Sequence, residues 1–410
     1  MTSEDWSTAI RRPPAHRLGA ERLLATDSGS AAGGGIVMTS GGGDRNCQQL
    51  TRFTVGLSVV LLACFAALLT GLPNPHDCGI GFCYPLYNTT YPFTPPRTVD
   101  EDSGSLEYRI AVITDLDTTN RLKGDEGWYA YLRKGRLLIN SAEGKAVVRW
   151  DDDTKKIKST LGQGGRGMEL SDLKVFDGHL LTVDDRTGVV YRIQLDKGDK
   201  VTPWLVLPDG DGNESKGFKA EWVTVKSGEL YVGGLGKEWT TTEGEFRNYN
   251  PMWIKRVSPK GHVTHVDWVD RYKRLRAAAG IQYPGYMIHE AAQWSELHQR
   301  WYFLPRRAST ETYTEALDER RGSNYMLVAD ENFDSIQVRR VGDLMLTRGF
   351  SAFQFIPGTE DNLIVALKSE EDRGTIRSYL MVFDVRQDGG ILLEDTQLDG
   401  SYKFEGIEFI

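Results

Sequence analysis

The sequence predicts an all-β fold, a five-bladed β-propeller with a cation on its axis, preceded by one N-terminal transmembrane helix. Three observations predict it. Short runs rich in β-branched and aromatic residues recur from Leu106 to the end, separated by Asp-Gly, Ser-Gly and Pro-Gly turns, which is how strands read. Five of these runs open alike, and internal repetition marks repeat folds. One uncharged stretch, residues 53–72, is long enough to cross a bilayer.

Residues 1–52 carry two Gly-Gly-Gly runs and many Ser and Thr, too little apolar surface to offset the entropy of ordering. They are expected to be a disordered cytosolic tail. FTVGLSVVLLACFAALLTGL follows at 53–72 and spans about 30 Å as a helix. A cleaved signal peptide would have a shorter apolar run nearer the N-terminus. Arg11, Arg12, Arg17, Arg22, Arg45 and Arg52 precede the span, and no Lys or Arg follows it as far as Tyr84. The positive-inside rule then places the C-terminal part in the lumen. Sequons at Asn88 and Asn213 suit that side. Cys78 and Cys83 sit just past the span, to close a small loop or link two chains. No Cys follows from residue 84 to 410, which excludes thiol catalysis and cysteine zinc sites there. The net charge of −8 argues against nucleic acid as a partner. Residues 73–105 hold Pro73, Pro75, Pro85, Pro92, Pro95 and Pro96 and read as a stalk. The propeller is expected over 106–410.

The repeats begin at Ser171 (SDLKV), Glu221 (EWVTV), Glu290 (EAAQW), Ser351 (SAFQF) and Glu405 (EGIEF). Each opens on Glu or Ser and carries apolar residues at its third and fifth positions. Spacings of about 50 to 70 residues suit a four-stranded blade with loops. The last repeat stops after one strand, so its blade must be completed by the segment near Tyr108 to Leu138, which joins the two ends and removes an exposed edge. A β-sandwich is the alternative. Trp268 to Ala279 is the best candidate for a helix.

If each repeat starts at a central channel, Ser171, Asp172, Glu221, Glu290, Ser351 and Glu405 gather there. Crowded carboxylates repel unless a cation neutralises them. Oxygen-only donors in an irregular ring favour Ca²⁺ over zinc or magnesium. His289 is turned away by strand alternation. Polar clusters recur further into the blades. Arg166, Arg186, Lys219, Lys237 and Arg306 suit phosphate oxygens, Asp117 and Asp185 lie among them, and Trp239 offers a face for a nucleobase. Asp115 and Glu169 are the candidates for a general base. Gly164-Gly-Arg-Gly lacks the Gly-Lys-Ser/Thr ending of a P-loop.

The segments GRGMELSDL (165–173), TVDDRTGVVY (182–191), KGFKAEW (216–222), YVGGLGKEWT (231–240), RAAAGIQYPGY (276–286), FLPRRAS (303–309), IVALKSEED (364–372) and FEGIEFI (404–410) resemble the soluble calcium-activated nucleotidases of the apyrase family, vertebrate type II membrane members among them. The resemblance runs over 106–410. It implies a five-bladed propeller with Ca²⁺ bound by Ser171, Asp172, Glu221, Glu290, Ser351 and Glu405. It implies hydrolysis of UDP, GDP, UTP and GTP to release phosphate, with UDP and GDP preferred, and a calcium-dependent homodimer. It implies residence in the endoplasmic reticulum and Golgi and support of glycosylation and proteoglycan synthesis, and it leaves open both membrane retention and secretion after cleavage. The alternatives are a calcium-stabilised propeller that binds glycan or protein without catalysis, and a sugar hydrolase using paired carboxylates.

Overall fold

The computed structural model describes residues 87–410 except 102, 103, 141, 387 and 388. The expected cytosolic tail, the 53–72 span and the first part of the stalk lie outside the described residues. Among the described residues no helix is long and apolar enough to cross a membrane.

The described residues build five blades around one axis, each a sheet of four or five strands, and one two-stranded ribbon. β1 (Arg97–Asp100), β2 (Ser105–Asp115), β3 (Trp128–Asn140) and β4 (Lys145–Ser159) come first. The next blade is β5 (Leu170–Phe176), β6 (His179–Asp184), β7 (Val189–Gln194) and β8 (Lys200–Val206). The following blade comprises β9 (Trp222–Lys226), β10 (Glu229–Gly233), β13 (Trp253–Val257) and β14 (Val263–Asp267), with a small ribbon, β11 (Trp239–Thr240) and β12 (Phe246–Asn248), inserted in it. A helix, Val269–Ala278, where the sequence places one, leads to β15 (Tyr286–Ser295), β16 (Arg300–Ser309), β17 (Tyr325–Asp330) and β18 (Ile336–Arg340). β19 (Arg348–Phe355), β20 (Leu363–Asp372), β21 (Thr375–Asp384) and β22 (Ile391–Gln397) form the next blade, and β23 (Lys403–Phe409) ends the chain.

β23 pairs antiparallel with β2, so the first blade takes its innermost strand from the C-terminus. β5, β9, β15, β19 and β23 neighbour one another in a closed ring. Alternation along each strand sends side chains to both adjacent blades. On β2, Tyr108, Ile110 and Val112 pack toward the β19–β22 blade, while Ala111 and Ile113 pack toward the β5–β8 blade. Each pair of neighbouring blades thus shares its own apolar cluster.

The repeats differ from expectation in one respect. The inner strands do not open on the repeated Glu or Ser; β15 and β19 begin several residues earlier. What the repeated residues share is a β-bulge. The pairing steps from Leu170↔Asp184 to Asp172↔Val183, passing over Ser171. It steps from Phe350↔Lys368 to Ala352↔Leu367, passing over Ser351, and from Phe404↔Thr114 to Gly406↔Ile113, passing over Glu405. Glu290 lies in the irregularity between His289 and Ala292. Glu221 donates its N–H to the carbonyl of Gly233 at 2.8 Å, the residue that Trp222 already faces. A bulge breaks the in–out alternation and re-aims one side chain, which lets each blade send one polar group to the axis.

The fourth residue of every repeat is polar as well: Lys174, Thr224, Gln293, Gln354 and Glu408. Lys174 donates to Gln293 at 3.0 Å and Gln354 at 2.6 Å and lies 3.6 Å from Glu408. Tyr91 donates its hydroxyl to Glu408 at 2.7 Å, and Tyr87 packs on Phe176. Residues 87–100, assigned to the stalk from their prolines, therefore belong to the same compact unit as the blades. Their extended backbone suits pairing of β1 with β2 and side-chain docking.

Ile407 is fully buried on the closing strand. Ile407→Ala should destabilise the fold by about 2–5 kcal/mol in chemical denaturation, whereas Val206→Ala, at a side chain 59% exposed, should cost under about 0.5 kcal/mol. Equal losses would mean that β23 does not close the ring.

Candidate active site

The bulged residues meet a ring of alternating charge. Lys219 lies 2.7 Å from Glu221 and also bonds Asp185. Arg306 reaches Glu290 at 2.5 Å and Glu405 at 2.9 Å, and bonds Glu371 as well. Lys403 lies 2.9 Å from both Asp115 and Asp117 and 3.6 Å from Glu405. Arg166 forks onto Glu169 at 2.7 and 2.5 Å, with Arg186 at 3.8 Å. One oxygen each of Asp115, Asp117 and Glu169 lie within 4.8 Å of one another. Eight carboxylates (Asp115, Asp117, Glu169, Asp185, Glu221, Glu290, Glu371, Glu405) thus meet five cations (Arg166, Arg186, Lys219, Arg306, Lys403), a formal excess of three negative charges.

The ionisation of these groups reflects that crowding. Burial, then neighbouring Asp185 and Asp115, push Glu169 up to about 7 against the pull of Arg166. Burial and Glu290 raise Glu221, despite Lys219. Glu405 rises well above the usual carboxylate range through burial, Glu290 and Asp115. Glu371 goes the other way. Burial pushes it up, but Arg306, Lys403 and Arg307 prevail and hold it near 2.

Asp172 departs from its expected place. It is buried, and its carboxylate accepts the N–H groups of Leu173 and Val223, each at 2.8 Å. It ties β5 to β9, because the residue after the bulge returns to ordinary alternation. Ser351 donates its hydroxyl to the carbonyl of Phe404 at 3.0 Å. Ser171, 1% exposed, has no hydrogen-bond partner for its hydroxyl among the described residues, and neither has one oxygen of Asp185. Buried oxygens without partners, beside carboxylates that raise one another, fit a hard divalent cation. Among the described residues, the carboxylates whose oxygens come close enough together to share such an ion are Asp115, Asp117 and Glu169, while the expected ligands Glu221, Glu290, Glu405, Ser171 and Ser351 sit on the inner-strand bulges beside them. His289 packs between Tyr272 and Phe303 and is pushed down to about 3 by burial, so it takes no part.

A cavity of about 390 Å³ opens from this ring. Glu221, Glu290, Arg306 and Lys219 line it toward the axis; Lys237, Trp239, Thr240 and Tyr313 line it further out. Lys237 and Trp239 therefore lie away from the ionic ring, in the wall of the cavity. Between them, Glu238 takes a buried fork from Arg276 on its carboxylate at 2.7 and 2.9 Å, and its carbonyl accepts from Lys237 at 2.9 Å. Lys237 lies 4.1 Å above the Tyr313 ring. Desolvation lowers it to about 8. Gly349 packs under Arg306; a Cβ there would lie 2.1 Å from the Arg306 carbonyl oxygen.

Lys403 and Tyr313 escaped the sequence reading, and Arg307 and Glu371 entered it only within the polar clusters that recur in the blades. Lys403 had a signal, since Lys403-Phe-Glu405 repeats Lys219-Ala-Glu221. Arg307 adjoins a chosen residue, and Glu371 sits in a charge run on β20. Tyr313 had none, because a loop brings it in.

Comparison with known proteins agrees with this architecture. The apyrase family model matches residues 116–410. The rat soluble calcium-activated nucleotidase 1 is 56% identical over 79% of this chain and 78% of its own length. The Caenorhabditis elegans apyrase apy-1 is 50% identical over 75% of this chain and 86% of its own, and the Cimex lectularius apyrase 45% over 79% and 87%. With a family model across the propeller and relatives at these identities, the chain belongs to the apyrase family and is a nucleotide-hydrolysing enzyme.

Proposed function

We propose that this propeller is a calcium-dependent hydrolase of nucleoside di- and triphosphates that prefers UDP and GDP and releases phosphate and NMP. The observation that carries the reading is the acid-rich ring opening directly into a cavity lined by cations and aromatics. The rat and mouse relatives are named calcium-activated, which supports Ca²⁺ as the cofactor; we assign it to Glu221, Glu290, Glu405, Ser171 and Ser351. When bound, the ion supplies positive charge that offsets the ring and polarises phosphate oxygens.

The chain's own groups account for the remainder. Of the two candidates for the base we take Glu169, which the Arg166 fork orients and burial raises toward neutrality, over Asp115, which Lys403 and the N–H of Asp117 engage. Ionised, Glu169 accepts a proton from an attacking water, while Arg166 fixes its orientation. Lys219 and Arg306 present charge at the inner end of the cavity. Trp239 and Tyr313 offer ring faces to a base at the outer end. The uncharged segment 53–72 and the arginines before it support anchoring as a type II protein in the endoplasmic reticulum and Golgi, with the propeller lumenal. There, removal of UDP would support glycosylation and proteoglycan synthesis. We extend the reading to a calcium-dependent homodimer.

Phosphate release across a nucleotide panel, with calcium or chelator, tests the core of it. UDP and GDP should be turned over in calcium and not in chelator; turnover unaffected by chelation rejects the ion. Glu290→Gln should weaken calcium binding by about ten-fold or more and raise the calcium needed for activity in parallel. Since Glu169 is held near 7, it is protonated below that pH and ionised above it. kcat/KM should therefore rise with pH through an acid limb above the ordinary glutamate range, at a pH that calcium on the axis would lower. Glu169→Gln should lose that limb and about 10²–10⁴ in kcat; a variant keeping the wild-type profile would point to another base.

A further inference from the structure

We propose that Arg307 holds the phosphate that stays with the nucleoside, the phosphate of the NMP product. The assignment deepens the nucleotidase reading above and rests on it. Arg307 is 2% exposed and lines the cavity. Its nearest carboxylate is Asp318, with Nε to Oδ2 at 3.9 Å. Its Nη1 has no hydrogen-bond partner among the described residues. The other cations in the cavity wall are engaged. Lys219 is held by two carboxylates and Arg306 by three. Lys237 donates to the Glu238 carbonyl at 2.9 Å and to Thr240 at 3.3 Å.

A buried guanidinium N–H without a partner is costly, and a phosphate oxygen is the acceptor its planar fork matches best. Position selects which phosphate. Arg307 follows Arg306 on β16, and its partner Asp318 accepts the Tyr286 hydroxyl at 2.6 Å. Tyr286 in turn packs edge-on against Tyr313. Arg307 thus lies between the ionic ring and the aromatic end of the cavity. A nucleotide with its scissile phosphate at the ring and its base on the aromatics places the intervening phosphate beside Arg307.

Calorimetry with UMP and UDP, in calcium, on the full-length protein tests this. Arg307→Gln should weaken UMP binding by about ten- to a hundred-fold, with Arg307→Lys between it and wild type. KM for UDP should rise more than kcat falls, with half-activating calcium unchanged. Asp318→Asn should leave UMP affinity within about two-fold, since hydrogen bonding to phosphate needs only the guanidinium. Wild-type affinity in Arg307→Gln overturns the proposal. So does an equal loss in Asp318→Asn, which would make Arg307 a partner for Asp318. Should Arg307→Gln fail to fold, the lysine variant decides by the same measure: unchanged UMP affinity overturns the proposal. Wild type that neither binds UMP nor releases phosphate from UDP removes the parent reading and this one with it.

Discussion

Repulsion among carboxylates on one axis is the constraint around which this structure is arranged. Two like charges 4 Å apart cost about 4 kcal/mol at an effective dielectric of about 20, and burial raises the cost. The ring answers with interleaved cations, each shared between acids: Arg306 among Glu290, Glu405 and Glu371, and Lys403 among Asp115, Asp117 and Glu405. Residual strain appears as carboxyls pushed upward at Glu169, Glu221 and Glu405. Such a centre contributes little to folding. The blades must therefore be held from outside it, by the apolar clusters between neighbours and by polar ties such as Asp172 to Val223 and Trp294 to Thr224.

The bulges reconcile these two demands. A regular strand alternates its side chains between the two adjacent blades and leaves none for the axis. One additional residue in the inner strand frees a single side chain without disturbing the apolar third and fifth positions. Glu405 and Ile407 show the result two residues apart. The first bonds Arg306 at the centre; the second is fully buried between blades. The same geometry explains Asp172. Following the bulge at Ser171, it is back in register and serves the joint between blades.

Much of this was legible because the repeat writes position into sequence. Residue type and spacing at Ser171, Glu221, Glu290, Ser351 and Glu405 indicated both blade number and a common centre, and the pairing of β23 with β2 closes the ring. Two things were not legible. Strand boundaries were misread because a bulge leaves no compositional mark, so the first polar residue looked like the strand's start. The polar fourth position, Lys174 through Glu408, was visible in all five repeats yet carries no meaning until the inner strands are seen to face a shared channel. Proline content misled in the same way at residues 87–100. It excludes helix, but it does not exclude an extended segment docked through Tyr87 and Tyr91.

Charge type alone also cannot separate a cation that builds the site from one that serves it. Arg306 and Arg307 are adjacent, buried and chemically identical, yet three carboxylates surround the first and one lies at 3.9 Å from the second. A guanidinium saturated by acids has little left to offer a phosphate, whereas one with a free N–H has a full charge-assisted bond to give. The same accounting bears on the proposed divalent ion. A ring with more carboxylates than cations repels an anionic substrate at the end of the cavity where its terminal phosphate must lie. A divalent ion on the axis would cut the formal excess from three negative charges to one while leaving the outer cations unspent, so the acidic centre that looks ill suited to phosphate would repel it far less.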